Sequence, residues 1–296
     1  MATDGRKFHA AVCLFLAGSI MAPPVFGQID FSGEWAVRLH EDSPTRRNPP
    51  GAQIGEYLGL PINEAARLRA DTWDAGILTL REHQTSEHTS PYMIRGGNLR
   101  ISKVVDDASQ QVIAFKILCA ANPYATRTIW MDGRSHPPEY AAHTWQGFST
   151  GKWEADTLTV ETTHIKAGLI QSNGVPHSER ATLIEHFIRH GDYLTVVGIV
   201  NDPAYLEEPF IRSSNYVMDA HQRLGPNPFE IVDEIAGRPD GNIPHHLPGT
   251  NAFLREFSEH SGIPFAATRG GKETTYPEYR LTLKRMLSNL PKSAGE

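Results

Sequence analysis

The sequence predicts a mainly β protein, an antiparallel meander closing into a barrel, with a helix before it and short helices and loops after it. Three observations predict this class. From Asn98 to Met218 the chain alternates between strand-forming runs and short turn signals. Its 25 glycines and 21 prolines in 296 residues suit many short strands better than a helix bundle. No repeat of fixed period and no clean linker divides it, and a chain of this length buries enough surface for a core of its own.

The elements follow in order. Residues 1–27 read as a secretory leader: Arg6 and Lys7 give a positive start, Ala10 to Met21 is apolar, and Pro23-Pro24-Val25-Phe26-Gly27 ends the run before Gln28. The run is short for a spanning helix. The expectation is a periplasmic or secreted protein, not inserted in a membrane after cleavage, with a single β-rich domain over 28–296. Its first part, 28–97, opens on a strand from Asp30 to Trp35. A polar, Pro-rich stretch from His40 to Gly55 follows, and then a helix over Glu64–Trp73 capped by Asn63. The antiparallel core, 98–220, begins with Leu99 to Val105 and Gln111 to Cys119 around Asp106–Ser109. Arg127 to Met131 then runs into Asp132-Gly133. Lys152 to Glu154 and Thr157 to Ile165 flank Ala155-Asp156, Ala181 to His190 and Tyr193 to Val200 flank Gly191-Asp192, and Phe210 to Met218 follows. The tail, 221–296, is loop-rich, with short helices expected over Asn251–His260 and Thr282–Leu290. The helical spacing of Phe253, Leu254 and Phe257 predicts that it packs over the barrel mouth.

Charge and motifs exclude several classes. The net charge of −6 weighs against a nucleic-acid partner. Beyond the leader Cys119 is the one cysteine, so no internal disulfide is expected; it ends an apolar run and reads as a buried structural thiol. No Gly-rich phosphate loop opens a helix. Gly147 to Gly151 fits G-x-S-x-G as letters, but a strand rather than a helix follows, so Ser149 is not a nucleophile at an elbow.

Alternate residues of a strand share a face. Leu158, Val160, Thr162 and His164 therefore lie together, an apolar face ending in an imidazole. In Ala181 to His190 neither face is purely apolar, and Glu185 or His186 must point inward if the strand lines a barrel. The segment from His136 to Glu154, HPPEYAAHTWQGFSTGKWE, concentrates titratable and aromatic residues on a connection, the composition of a ligand site; the alternative is a structural loop whose tryptophans cap the barrel. The chain has 14 histidines, one of them in the leader, but no HExxH or other zinc spacing. A metal would be assembled from separate loops, with His83, His88, His136, His245 and His246 as candidates. His40-Glu41-Asp42 places three titratable side chains in a row after the first strand.

The segments DFSGEW, EYLGLPINEAARLRADTWDA, RTIWMDGRSHPPEY, HTWQGFSTGKWEADTLTVETTHI and ERATLIEHFIRHGDYLTVVGIVNDPAYLEEPF resemble a largely uncharacterised family of secreted β-rich bacterial proteins. The Gly33-x-Trp35 start followed by antiparallel strands is similar to lipocalin-like (calycin) barrels. That resemblance implies an enclosed site for one small, usually apolar molecule. The leading expectation is a small-molecule enzyme using cofactor-free acid–base chemistry, an isomerase or lyase. His164, His186, His143 and Tyr140 would be its acid–base groups, and Trp35, Trp145, Trp153 and Phe148 its ligand-binding walls. The alternatives are a non-catalytic binder of the same architecture, a His-ligated metalloprotein with hydrolytic activity, and a scaffold or assembly protein. No cofactor is expected under the first reading; a divalent metal belongs to the metalloprotein reading.

Overall fold

Turn-separated, alternating strands close on themselves here because the first strand pairs with the last strand on one edge and with the second on the other. Nine strands form one closed barrel. They are β1 (Gly33–Val37), β2 (Leu99–Val105), β3 (Val112–Cys119), β4 (Asn122–Trp130), β5 (Phe148–Glu154), β6 (Thr157–Thr163), β9 (Thr182–His190), β10 (Tyr193–Asn201) and β11 (Phe210–Met218). Two-residue strands β7 (Gly168–Leu169) and β8 (Pro176–His177) pair outside it. The order around the barrel is β1-β11-β10-β9-β6-β5-β4-β3-β2, closed by β1 against β2. The computed structural model describes residues 29–38, 52–120, 122–225, 230–239 and 241–289, and for 122–125 the backbone alone. Residues 1–27, expected as a leader, and His40-Glu41-Asp42 lie outside the described residues.

The mainly β barrel is as the sequence predicts, with one departure. The barrel is mixed rather than a pure meander, because β4 and β5 run parallel, Ile129 opposite Ser149 and Trp130 opposite Thr150. Antiparallel neighbours need only a tight turn, whereas parallel ones need a long return. Residues 131–147, stiffened by Pro137-Pro138, supply that return and carry the HPPEYAAH segment outside the barrel wall.

The pairing register decides which alternate residues face inward. On β9 the inward set is Leu183, Glu185 and Phe187, all buried, so Glu185 points into the barrel and His186 points out. Phe31 stacks on Trp153 at 5.5 Å and meets Phe115 and Phe187 edge-on at 6.3 and 6.1 Å. Trp35, fully buried, donates its indole N–H to Phe31 O at 2.9 Å. Further along the barrel, Arg127 of β4 donates to Ser149 Oγ at 3.0 Å, to Thr162 Oγ1 at 2.6 Å and to the Glu185 carboxylate. All four side chains are buried. Among the described residues the interior holds an aromatic cluster and a closed polar network. Trp35 and Trp153, expected as ligand walls, belong to this packing, because large rings facing inward fill the bore of a small barrel.

The segment before β2 stops the other end. Thr89 to Gly97 includes a short helix, α3 (Ser90–Met93), and Ile94 then enters the barrel. A Cβ on the inward-facing Gly198 would lie 2.7 Å from Ile94 Cγ2, so this strand position accepts only glycine. Ser214 Oγ fixes the plug by donating to Ile94 O at 2.9 Å. Around Ile94 a second apolar layer contains Leu183, Val200 and Phe210 from the barrel, Ile165, Ile170 and Val175 from the β6–β9 connection, and Ala66 and Ala70 from helix α1 (Glu64–Thr72). Asn63 starts that helix as expected, its side chain accepting from Ala66 N at 3.0 Å. The helix α2 (Arg81–Gln84) lies between α1 and α3 in sequence.

The tail ends in α4 (Glu256–Ser261) and α5 (Tyr279–Ser288), near the two expected helices. Its contacts differ from expectation. Tyr57 N donates to Thr268 O, Gly271 N to Leu60 O, His246 N to Thr72 O, and Arg269 pairs with Asp71 at 2.5 Å. The tail therefore rests on the 57–76 segment, which itself lies over the plugged end, and Phe253 is 48% exposed rather than buried. The described residues from Phe31 onward form one compact unit. No helix among the described residues is long and apolar enough to cross a membrane.

Candidate functional site

The parallel return between β4 and β5 lays its histidines against the end of β6. Gly147 makes this possible: its φ of +69° is left-handed, and a Cβ there would lie 2.6 Å from Thr163 O. Thr144 then bridges to the chain after β6, receiving Lys166 N–H on its carbonyl at 2.9 Å and donating its own N–H to His164 O at 3.0 Å. His164 is one of three non-glycine residues with positive φ among the described residues, at +55°. Such strained backbone persists where surrounding contacts over-determine it.

Those contacts form a chain whose direction follows from its end. Pro138 O can only accept, so His164 donates Nε2–H to it at 2.9 Å. His164 Nδ1 then accepts from the Thr163 hydroxyl at 2.8 Å. Thr163 Oγ1 in turn accepts Nδ1–H from His136 at 2.7 Å, and His136 Nε2 accepts from the Thr150 hydroxyl at 2.8 Å. Both imidazoles in this chain have both nitrogens engaged. They hold the loop in place; Phe148, edge-on to His136 at 5.4 Å, packs the same arrangement.

His143 differs. Its Nδ1 donates to Ile165 O at 3.0 Å, which selects the tautomer with a lone pair on Nε2. Its ring lies 5.3 Å from that of His164. His143 lines a cleft of about 550 Å³ together with Ala141, Ala142, Trp145, Lys166, Ala167 and Glu179. The Lys166 ammonium sits over the Trp145 ring at 4.9 Å. The cleft thus offers a base nitrogen, an ammonium, a carboxylate and an aromatic wall on an open surface.

Of the expected acid–base groups, the structure brings His143 and His164 together, and adds His136. It does not bring in His186, which bonds Thr159 at 3.0 Å on the outer face of β9. Thr159 precedes His164 by five residues, about 16 Å of strand. Tyr140 is on the same connection but 91% exposed, its side chain turned to solvent. Among the expected ligand walls Trp145 lines the cleft, Phe148 lies behind it, and Trp35 and Trp153 are in the barrel. Lys166 and Glu179 were not anticipated, since each looks like an ordinary surface charge in sequence.

The metal candidates do not converge. His83 lies in α2; His88 stacks on Tyr92 at 3.9 Å; His136 is in the threonine chain; His245 Nδ1 donates to Ile243 O at 2.7 Å; and His246 Nε2 is 3.6 Å from Asp74. Among the described residues no three His, Cys, Asp or Glu side chains are placed to share one metal ion. Cys119 is buried, and Ser149 lies mid-strand in the Arg127 network. Comparison of the chain with protein-family models, with curated proteins and with solved structures gives no match.

Behind the cleft lies a buried imidazole. His177 of β8 donates Nδ1–H to Ser178 O at 3.1 Å, so its Nε2 accepts from the Thr89 hydroxyl at 2.7 Å. Gly168 closes over the pair: a Cβ there would lie 2.7 Å from Thr89 Cγ2. Burial pushes the His177 pKa down, outweighing the upward pulls of the Ser178 carbonyl and of Asp202. A folded-state pKa below the unfolded value means that folding favours the neutral ring. Its stabilisation is complete above the unfolded value of about 6.5 and is lost as pH falls from there towards the folded value. Denaturant unfolding between pH 7.5 and 5 is expected to show a falling midpoint, with the slope of the His177→Gln variant shallower by up to one proton. Equal slopes for the two proteins would dismiss His177 as the source.

Proposed function

We propose that the protein acts on a small molecule with an aromatic or apolar ring in the Trp145–His143–Lys166–Glu179 cleft, by cofactor-free acid–base chemistry of the isomerase or lyase type. The observation carrying this reading is the tautomer of His143, whose Nδ1 is anchored on Ile165 O and whose Nε2 keeps its lone pair beside an ammonium and an indole. In this reading His143 Nε2 takes a proton from a carbon next to a carbonyl. The electron pair moves onto the carbonyl oxygen, where Lys166 offsets the charge. Returning the proton to a different carbon isomerises the molecule; expelling a group β to the carbonyl makes the reaction a lyase step. His136 and His164 act as positioning residues. The 1–27 leader supports a periplasmic or secreted setting.

The test pairs binding with exchange. A panel of aromatic ketones and acids is titrated against tryptophan fluorescence, with Trp145→Phe as control, and deuterium uptake from D₂O is followed by mass spectrometry. His143→Gln is expected to keep the fluorescence titration and to lower exchange by about 100-fold or more. Quenching without exchange in the wild type would make the protein a non-catalytic binder. Exchange unchanged in His143→Gln would remove His143 as the base.

A further inference from the structure

Among the described residues, the plug segment carries a cation with no anion beside it. Arg95 is 8% exposed, and among the described residues its guanidinium makes no hydrogen bond and no ion pair; its Nε is buried and unpartnered, while its two terminal nitrogens keep some contact with solvent. Its guanidinium lies 4.8 Å from the Tyr92 ring, which also stacks on His88, and burial together with the Arg95 charge pushes the His88 pKa down. A largely buried charge left without a counter-charge is unfavourable, and aromatic contact recovers only part of the loss. The contrast within this chain is Arg127, more deeply buried at 3% exposure, which has Glu185, Ser149 and Thr162.

Two more polar atoms without a partner among the described residues lie on this segment and on the side chain that tethers it. Ser90 Oγ, on the first turn of α3, is fully buried without a partner. Gln146 donates its amide to His88 O at 2.8 Å, while its Oε1 is buried and unpartnered. Orphaned polar atoms are uncommon in native interiors, and three on one short segment and its tether call for a common explanation.

We propose that Arg95 anchors a binding site for a small oxyanion, a carboxylate or phosphate group, with the Ser90 hydroxyl as second donor and the Gln146 Oε1 accepting a hydroxyl or amine of the same molecule. The guanidinium's planar donors suit either group, and burial strengthens the attraction. This site does not depend on the acid–base reading of the neighbouring cleft, since none of its three groups lines that cleft.

The test is thermal unfolding of the full chain in phosphate, acetate and benzoate against chloride at equal ionic strength, for wild type and Arg95→Met. At about a hundred times Kd a specific anion is expected to raise the wild-type Tm by about 5 °C, saturably. Arg95→Met is expected to lose that shift while unfolding no earlier than the anion-free wild type, because it removes an uncompensated charge. Phosphate alone, or the carboxylates alone, giving the shift identifies the group bound. A wild type with no saturable shift in any of the three anions overturns the proposal, as does a variant that keeps the shift; if Arg95→Met fails to fold, Arg95→Gln is read in its place.

Discussion

Arg127→Met is expected to destabilise the protein by about 3–5 kcal/mol, the cost of leaving a buried carboxylate without its partner. The Glu185 side chain is 6% exposed and faces into the barrel, where water does not replace the lost guanidinium. Ser149 and Thr162 lose a donor in the same step, although they keep their mutual hydrogen bond of 2.9 Å. Urea unfolding of Arg127→Met, Glu185→Leu and the double variant checks the reasoning. The double variant is expected to recover most of the loss, since two apolar side chains of similar volume replace an ion pair at little net cost. A double variant as unstable as the two single variants summed would show that the two side chains act separately. The network would then be no ion-pair unit.

Trp35→Ala is expected to cost about 3–5 kcal/mol for a different reason. Trp35 lies on β1, which pairs Trp35 with Met218 of β11 on one side and with Leu99 of β2 on the other, so this five-residue strand is the closure of the barrel. Removing the indole opens a cavity at that seam and leaves Phe31 O without its donor. Trp35→Phe is expected to lose less, because it keeps most of the apolar volume. Denaturant midpoints for both variants give the comparison, and ligand affinity of the folded fraction is expected to stay at the wild-type value. A Trp35→Ala protein with normal stability and weakened ligand binding would return Trp35 to the role of ligand wall.

Much of the barrel was legible locally. Phe210–Met218 and Leu99–Val105 were readable to the residue from alternation and turn dipeptides, because period-2 patterning and turn chemistry act over a few neighbouring positions. Asn63 was readable as a cap for the same reason. The short helix at Ser90–Met93 and the insertion of Ile94 left no such trace: Thr89 to Gly97 has no periodicity, and only Gly198, over a hundred residues later, makes room for it. The candidate site was half legible. Its composition drew attention to His136, His143 and Trp145. The distinction between engaged and available imidazoles needed Thr150, Thr163, Pro138 and Ile165, all contributed by chain return.

The sequence by itself determined that this chain makes strands and turns, where most of them begin and end, and that titratable and aromatic residues are concentrated in the His136–Glu154 connection. Only the tertiary structure decided what is inside. Glu185 and His186 are adjacent and equally plausible as inward residues until Arg127, 58 positions away, meets Glu185 within the barrel. Arg95 and Arg127 look alike in the sequence, and only the fold gives Arg127 a carboxylate and leaves Arg95 without one among the described residues. Secondary structure follows from interactions along the chain, whereas burial, ion pairing and the choice of a histidine tautomer follow from which distant segments the closed barrel brings together.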